Sequence, residues 1–309
     1  MPAATAREEN PYALNPVTTN RGREEHTLAT EMSIVEAVIL GAVEGITEFL
    51  PVSSTGHLTI LEKLFGHTID DPDITAFTVI IQSGAVLATI LFLRKDIARV
   101  VPAFFRGLFD KQQRDNPDFR FGWGALLGSI PIVIAALLFK DAVEGTLRSL
   151  WFVAGALIIW SGVMAFADHA ATQVRKQDDV TWKDTLIIGT VQCLALIPGV
   201  SRSGATMSAG LLRDLDRVTV TKLSFFLSIP ALTGASILQG VQEYDRISTG
   251  VGWTNTIVAT VVSFVVAYAS VTWLLKFVSK HSYSVFIFYR LALGSLLLVL
   301  LATGTIDHK

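Results

Sequence analysis

Long apolar runs alternate with short polar ones along almost the whole chain, and the lengths of the runs are informative. Six of them reach the about 20 mostly apolar residues that a helix needs to cross the roughly 30 Å hydrocarbon layer. They cover 74–93, 121–139, 150–167, 220–240, 254–275 and 285–303. Two further runs break where a span should continue. The run 33–50 meets Pro51 and the polar stretch VSSTGH, then resumes over 58–65. The run 185–197 meets Pro198 and GVSRSGAT, then resumes over 207–212. Proline ends a helix, and a hydroxyl-rich turn cannot face lipid. The pattern therefore predicts an all-α polytopic membrane protein with six transmembrane helices plus two re-entrant helical hairpins. Residues 1–31 are polar, lack the apolar core of a secretory signal, and are expected to be a disordered N-terminal extension. Residues 32–309 are read as a single integral membrane domain, with Met32 as a second candidate start.

Composition agrees. Of 309 residues, 51% are hydrophobic and 17% charged, against about 25% charged in an average soluble domain. The 25 basic and 27 acidic residues leave a net charge of −2, with no basic excess for nucleic acid. The lone Cys193 cannot form an internal disulfide. Segment 94–120 holds seven Lys and Arg residues, which places it in the cytoplasm. Alternating outward from there puts fifteen basic residues on the cytoplasmic side against eight opposite. Both termini then lie outside, and the hairpins enter from opposite faces.

Opposite entry is what an inverted-topology repeat requires. A shift of 148 residues lays Gly41 on Gly189, Glu44 on Gln192, Ser53 on Ser201, Thr55 on Ser203, Gly56 on Gly204 and Phe77 on Phe225; Pro51 and Pro198 miss by one. Repeat 1 spans about 33–167 and repeat 2 about 184–303, each one hairpin plus three helices. The two broken tips should then meet near the bilayer midplane.

The tips carry the chemistry. Glu44 and Glu48 sit four apart on one helix face. Each costs about 2.5–3.5 kcal/mol at membrane depth as an ion, and the pair repels unless it shares a proton or cation. Ser53, Ser54 and Thr55 add hydroxyls, Gly56 allows close backbone approach, and His57 follows at a helix start that suits an anion; simple capping is the plainer role for the serines. In the second tip Arg202 is the only basic residue between Lys183 and Arg213, and its planar fork suits phosphate oxygens. Ser201, Ser203 and Thr206 surround it as donors, and Gly199 and Gly204 let the backbone curl. A plain Arg202–Glu48 or Arg202–Glu44 salt bridge is the structural alternative. Arg290, near the start of the last span, could point inward, but snorkelling to the cytoplasmic surface is the favoured expectation. Carboxylates beside a phosphate site imply a divalent cation or a proton, and a lipid-embedded site implies a lipid phosphate.

At these residues the sequence resembles the undecaprenyl pyrophosphate phosphatase family of the bacitracin-resistance type. EGITEFLPVSSTGHL (44–58) matches its (E/Q)xxxE motif with the following serine and histidine, and PGVSRSGAT (198–206) matches its PGxSRSxxT motif. The resemblance runs from about residue 32 through the last span. It implies hydrolysis of the C55 isoprenyl pyrophosphate to the monophosphate carrier of cell-wall synthesis, in the plasma membrane, with the active site opening outward. By motif position, Glu44 and Glu48 would serve in metal binding or acid–base work, with Mg2+ or Ca2+ as the cation. Ser54 would be nucleophile or donor, His57 its base or the leaving-group acid, and Arg202 with Ser201, Ser203 and Thr206 the pyrophosphate clamp. Ser53, Thr55, Gly56 and Gly204 complete that cradle. The family resemblance also implies a homodimer.

Two other readings share some of these features. Inverted repeats with paired broken helices are a transporter architecture, so the same cradle would suit a carrier or flippase for a lipid phosphate or small anion. SSTGH also resembles the serine–glycine–histidine segment of phosphatidic-acid-type phosphatases, but the upstream lysine/arginine motif and second histidine motif of that family are missing here. The dense hydroxyl and histidine content, with the two long motifs, favours the hydrolase.

Overall fold

The structure is a computed structural model that describes residues 32–69, 71–139, 147 and 149–308; the N-terminal extension lies outside the described residues. The broken units come as helix pairs, α1 (Ile34–Thr47) with α2 (Ser54–Leu64), and α7 (Trp182–Gln192) with α8 (Arg202–Leu211). Between them lie α3 (Pro72–Phe92), α4 (Arg94–Phe109), α5 (Pro117–Leu138) and α6 (Leu150–Ala170). After them come α9 (Arg217–Gln242), the short α10 (Tyr244–Thr249), α11 (Trp253–Val278) and α12 (Ser284–Ala302). Six of these, α3, α5, α6, α9, α11 and α12, are long and apolar enough to cross a membrane, and they coincide with the six spans expected from hydropathy. The described residues form no strand beyond one isolated bridge between Arg175 and Leu215.

The helix starts follow from local chemistry. Asp71 and Asn116 cap α3 and α5 with proline in the first turn, where its missing N–H costs nothing. Ser33 and Thr181 open α1 and α7 with reciprocal capping boxes to Glu36 and Asp184. The segment assigned only to the cytoplasm contains the amphipathic helix α4, which buries Val100, Ala103 and Gly107. Phe119 of α5 packs so closely on Gly107 that a Cβ there would collide with its ring.

Packing between the first and second halves is reciprocal. Helix α1 lies on α11, and α7 lies on α5. A Cβ on Gly41 would collide with the Ala259 carbonyl, and one on Gly45 would come to 2.6 Å of the Ser263 carbonyl. A Cβ on Gly189 would collide with Gly128. Small residues bring these backbones together where lipid gives no hydrophobic drive to helix pairing.

Both breaks use the same turn. Ser53 has φ 77° and Ser201 φ 76°, a left-handed region that costs a non-glycine residue about 1–3 kcal/mol. Each serine then caps the next helix, Ser53 Oγ accepting from the Gly56 amide at 3.3 Å and Ser201 Oγ from the Gly204 amide at 3.2 Å. The tips are also bonded to each other. The Gly199 amide donates to Ser53 Oγ at 3.2 Å, and Ser203 Oγ donates to the Leu50 carbonyl at 2.8 Å.

Arg290 corrects an expectation. It does not snorkel; it is fully buried behind both tips. Its guanidinium donates to the carbonyls of Pro51 (3.2 Å), Gly199 (2.8 Å) and Val200 (3.1 Å), and to Ser161 Oγ (3.2 Å). A side chain with five N–H donors and no acceptor suits a place where broken backbone leaves several carbonyls unmatched. Arg290→Met should therefore cost about 3 kcal/mol or more, since each buried acceptor left alone costs about 1–3 kcal/mol. Arg290→Lys should recover only part of that, because one ammonium cannot span both tips; thermal unfolding in detergent measures both.

The outer end of the second unit is held by charge. Asp184 is buried and takes Arg175 Nη2 at 2.6 Å, Arg213 Nε at 2.8 Å and Thr181 Oγ1 at 2.7 Å. Burial alone would raise its pKa, but the hydrogen bonds from Arg175, Thr181 and Arg213 outweigh it and hold the carboxyl below the usual carboxylate range. A depressed carboxylate stabilises the fold above its unfolded pKa of about 4 and loses that contribution as pH falls through the native value. Asp184→Asn should cost about 2 kcal/mol at pH 7, less than the roughly 3–5 kcal/mol of a fully buried pair because both arginines reach water. The gap between variant and parent melting temperatures should close in acid.

Candidate active site

The last turn of α1 brings Glu44 and Glu48 to the first break, with Glu48 as the C-cap residue. Ser54 opens α2 and Arg202 opens α8, so one residue from each break faces the acid pair. Ser54 Oγ donates to Glu48 Oε2 at 2.6 Å, and Arg202 Nη2 donates to Glu48 Oε1 at 3.1 Å. Arg202 also reaches the Ser224 carbonyl at 3.3 Å and lies 5.3 Å from the Phe49 ring centroid. The salt bridge weighed as an alternative is thus present, and it leaves spare valence. Arg202 Nε is buried without an acceptor, and Glu44 Oε1 is buried without a donor. Buried polar atoms without partners are uncommon and call for an explanation.

Glu48, Ser54 and Arg202 line a cavity of about 150 Å³. Ser53, Thr55 and Ser201 add polar lining, and Ile132, Leu196, Pro198 and Leu232 add apolar lining. The rest of the expected anion cradle is used differently. Ser203 is spent on the Leu50 carbonyl, and Thr206 donates to the Arg202 carbonyl at 2.9 Å and meets Ser224 Oγ at 2.7 Å. A Cβ on Gly56 would come to 3.2 Å of Val153, and one on Gly204 to 3.4 Å of Met164. These glycines let the new helices pack on α6, and they do not line the cavity. Ser203, Thr206, Gly56 and Gly204 therefore build the tips while Thr55 and Ser201 line the cavity.

His57 also departs from expectation. Its Nδ1 lies 2.7 Å from the Ser53 carbonyl and its Nε2 lies 2.6 Å from the Tyr289 hydroxyl. The ring stacks on Tyr289 at 5.5 Å with 9° between planes. The helix turn that separates Ser54 from His57 sends their side chains to different neighbours, so Glu48, and not His57, is the acceptor beside the Ser54 hydroxyl. His57 instead braces the strained Ser53 turn.

Reading the sequence missed two residues of the site. Gln82 of α3 lines the cavity, and with Glu62 of α2 it also lines a second, smaller one behind Ser54. A glutamine in the middle of an apolar span was the available signal for the first. For a metal, the described residues offer no group of three or more His, Cys, Asp or Glu side chains. They do offer two carboxylates within hydrogen-bond reach of each other, a free carboxylate oxygen and nearby hydroxyls. An all-oxygen set with few protein carboxylates suits Mg2+ or Ca2+ completed by water and phosphate oxygens, so the residues fit such an ion.

Comparison with known proteins bears on the same residues. The family model described as bacitracin resistance protein BacA matches residues 37–296. Undecaprenyl-diphosphatase 3 of Frankia casuarinae is 68% identical over 276 residues, covering 89% of this chain and 99% of the relative. Undecaprenyl-diphosphatase 1 of Streptomyces coelicolor is 52% identical, covering 89% and 98%. The undecaprenyl-diphosphatase of Cutibacterium acnes is 51% identical over 282 residues, covering 89% and 99%.

Proposed function

The chain belongs to the bacitracin resistance protein BacA family, and from that premise we propose that it hydrolyses undecaprenyl pyrophosphate to undecaprenyl phosphate and inorganic phosphate. The observation that carries this reading is the chain Arg202–Glu48–Ser54. It joins the two breaks in the lining of a cavity that combines polar and apolar residues. Such a cavity suits a ligand with a charged head and a hydrocarbon tail.

The pyrophosphate takes the polar lining. Arg202 binds its oxygens and stabilises the charge that develops on them, as preorganised donors do in phosphoryl transfer. The unmatched Arg202 Nε–H supplies one such donor, and Thr55 and Ser201 add hydroxyls. The tail leaves along Ile132, Leu196 and Leu232. A divalent cation held by Glu44 and Glu48 would offset the charge between those carboxylates and the pyrophosphate. Two nucleophiles fit this lining, namely the Ser54 hydroxyl, whose proton Glu48 accepts, and a water beside the carboxylates.

The membrane arrangement is part of the same proposal. The two helix pairs are re-entrant hairpins of an inverted repeat, entering from opposite faces of the plasma membrane, with the site open to the extracytoplasmic side. Supporting this are the three spans between the pairs, the shared turn at Ser53 and Ser201, the reciprocal packing of α1 on α11 and α7 on α5, and the distribution of Lys and Arg.

Purified protein in detergent should release phosphate from C55 pyrophosphate, and chelator should stop it. Glu48→Gln and Arg202→Ala should each lower kcat by at least about 100-fold, in line with loss of one preorganised electrostatic partner, while remaining folded. Full turnover in Arg202→Ala would overturn the assignment of the pyrophosphate site.

A further inference from the structure

Behind Ser54 lies the second cavity, about 90 Å³. Ser54, Thr55 and Gln82 line both cavities and so form the wall between them. Beyond that wall the lining is Glu44, Thr59, Glu62 and Thr78, with only Leu58 and Val79 apolar. Most of the residues that line this chamber therefore carry a group that can hydrogen-bond to water. Its size gives room for about three waters at roughly 30 Å³ each, and a buried water needs two to four polar partners of this kind. Glu44, only 1% exposed, has its Oε1 buried with no protein partner and lines the chamber. Helix α2 carries the lining from Ser54 to the buried Glu62, about 12 Å at 1.5 Å per residue, and ends two residues later at the exposed Leu64.

We propose that this chamber binds and delivers the water that hydrolyses the substrate. The inference rests on the hydrolase reading and adds to it the site of the second reactant. Phosphoryl transfer places attacking and leaving oxygens in line. With the terminal phosphate against Ser54, Thr55 and Gln82, which line both cavities, the chamber is on one side of these residues and the first cavity, into which the lipid monophosphate leaves, is on the other. The water oxygen forms its bond to the terminal phosphorus as the bridging P–O bond breaks. The electron pair of the broken bond stays on the lipid monophosphate, and the proton shed by the water leaves through the other waters of the chamber. Ser54, its hydroxyl donating to Glu48, is then part of the wall against which the phosphate sits and not the nucleophile.

The stereochemistry at phosphorus tests the route. C55 pyrophosphate bearing a chiral, 18O-labelled terminal thiophosphate is hydrolysed in H2(17O) by the full-length protein in detergent. Direct attack by chamber water gives inversion; retention, the result of a Ser54 phosphoenzyme, overturns the proposal. The chamber itself is tested with Glu62→Gln and with the nearly isosteric pair Thr59→Val and Thr78→Val. Each should lower kcat at least about tenfold without raising KM. The Kd for a methylene-bridged, non-hydrolysable analogue and the melting temperature should stay at the parent values, which a merely structural role would not allow. Parent kcat in both variants overturns the proposal. Absence of phosphate release from the folded parent protein would instead overturn the hydrolase reading itself.

Discussion

Breaking a helix in a buried interior leaves backbone carbonyls and amides that must find other partners. Two helix pairs break here, and one arrangement satisfies both. The breaks are set tip to tip, so each supplies partners for the other: Ser53 accepts from Gly199, and Ser203 donates to Leu50. What remains is gathered by the Arg290 fork, which reaches carbonyls on both sides. Because the tips are bonded to each other, the side chains they carry are fixed relative to each other as well. The alignment of Glu48 between Ser54 and Arg202 is a by-product of solving the backbone problem.

The two tips share a turn but not their chemistry. Ser54 and Arg202 both occupy the first helical residue after a left-handed serine, yet one is a hydroxyl and the other a fixed cation. Where the first tip has Glu44 and Glu48, the shift of 148 residues gives Gln192 and Leu196. The acid pair comes from one tip and the cation from the other, so neither tip alone holds a complete site. Had both carried carboxylates, four of them would crowd one buried space at prohibitive repulsion.

Much of this was legible from the sequence because the controlling variable is hydropathy over about 20 residues, which fixes the spans regardless of tertiary detail. All six spans and both interruptions appear where the apolar runs place them. What escaped depends on contacts between distant segments. The apolar face of α4 is short and sits among arginines, so it signals no span although it buries Val100 and Ala103. Arg290 lies close enough to a span end to suggest snorkelling, and its true partners at Pro51 and Gly199 are remote in sequence. The separation of His57 from Ser54 follows from Tyr289, 232 residues away. Thr206 and Ser203 were legible as polar residues at a tip, but whether each faces the cavity or the neighbouring backbone is decided by packing alone.

The glycine contacts of α1 with α11 have a consequence in time. Gly41 packs on Ala259, and the two are separated by 218 positions in the chain (259 minus 41). At a synthesis rate of about 5–20 residues per second, α1 waits roughly 10–40 s on the ribosome before its seat is made. The second pair has no such delay, since α5, on which α7 lies, has already emerged. During that interval Glu44 and Glu48 lack the neighbour that shields their helix. The half-made protein therefore carries two carboxylates on a segment whose packing partner is not yet made, and the tips reach their final hydrogen bonding only once α12 has delivered Arg290.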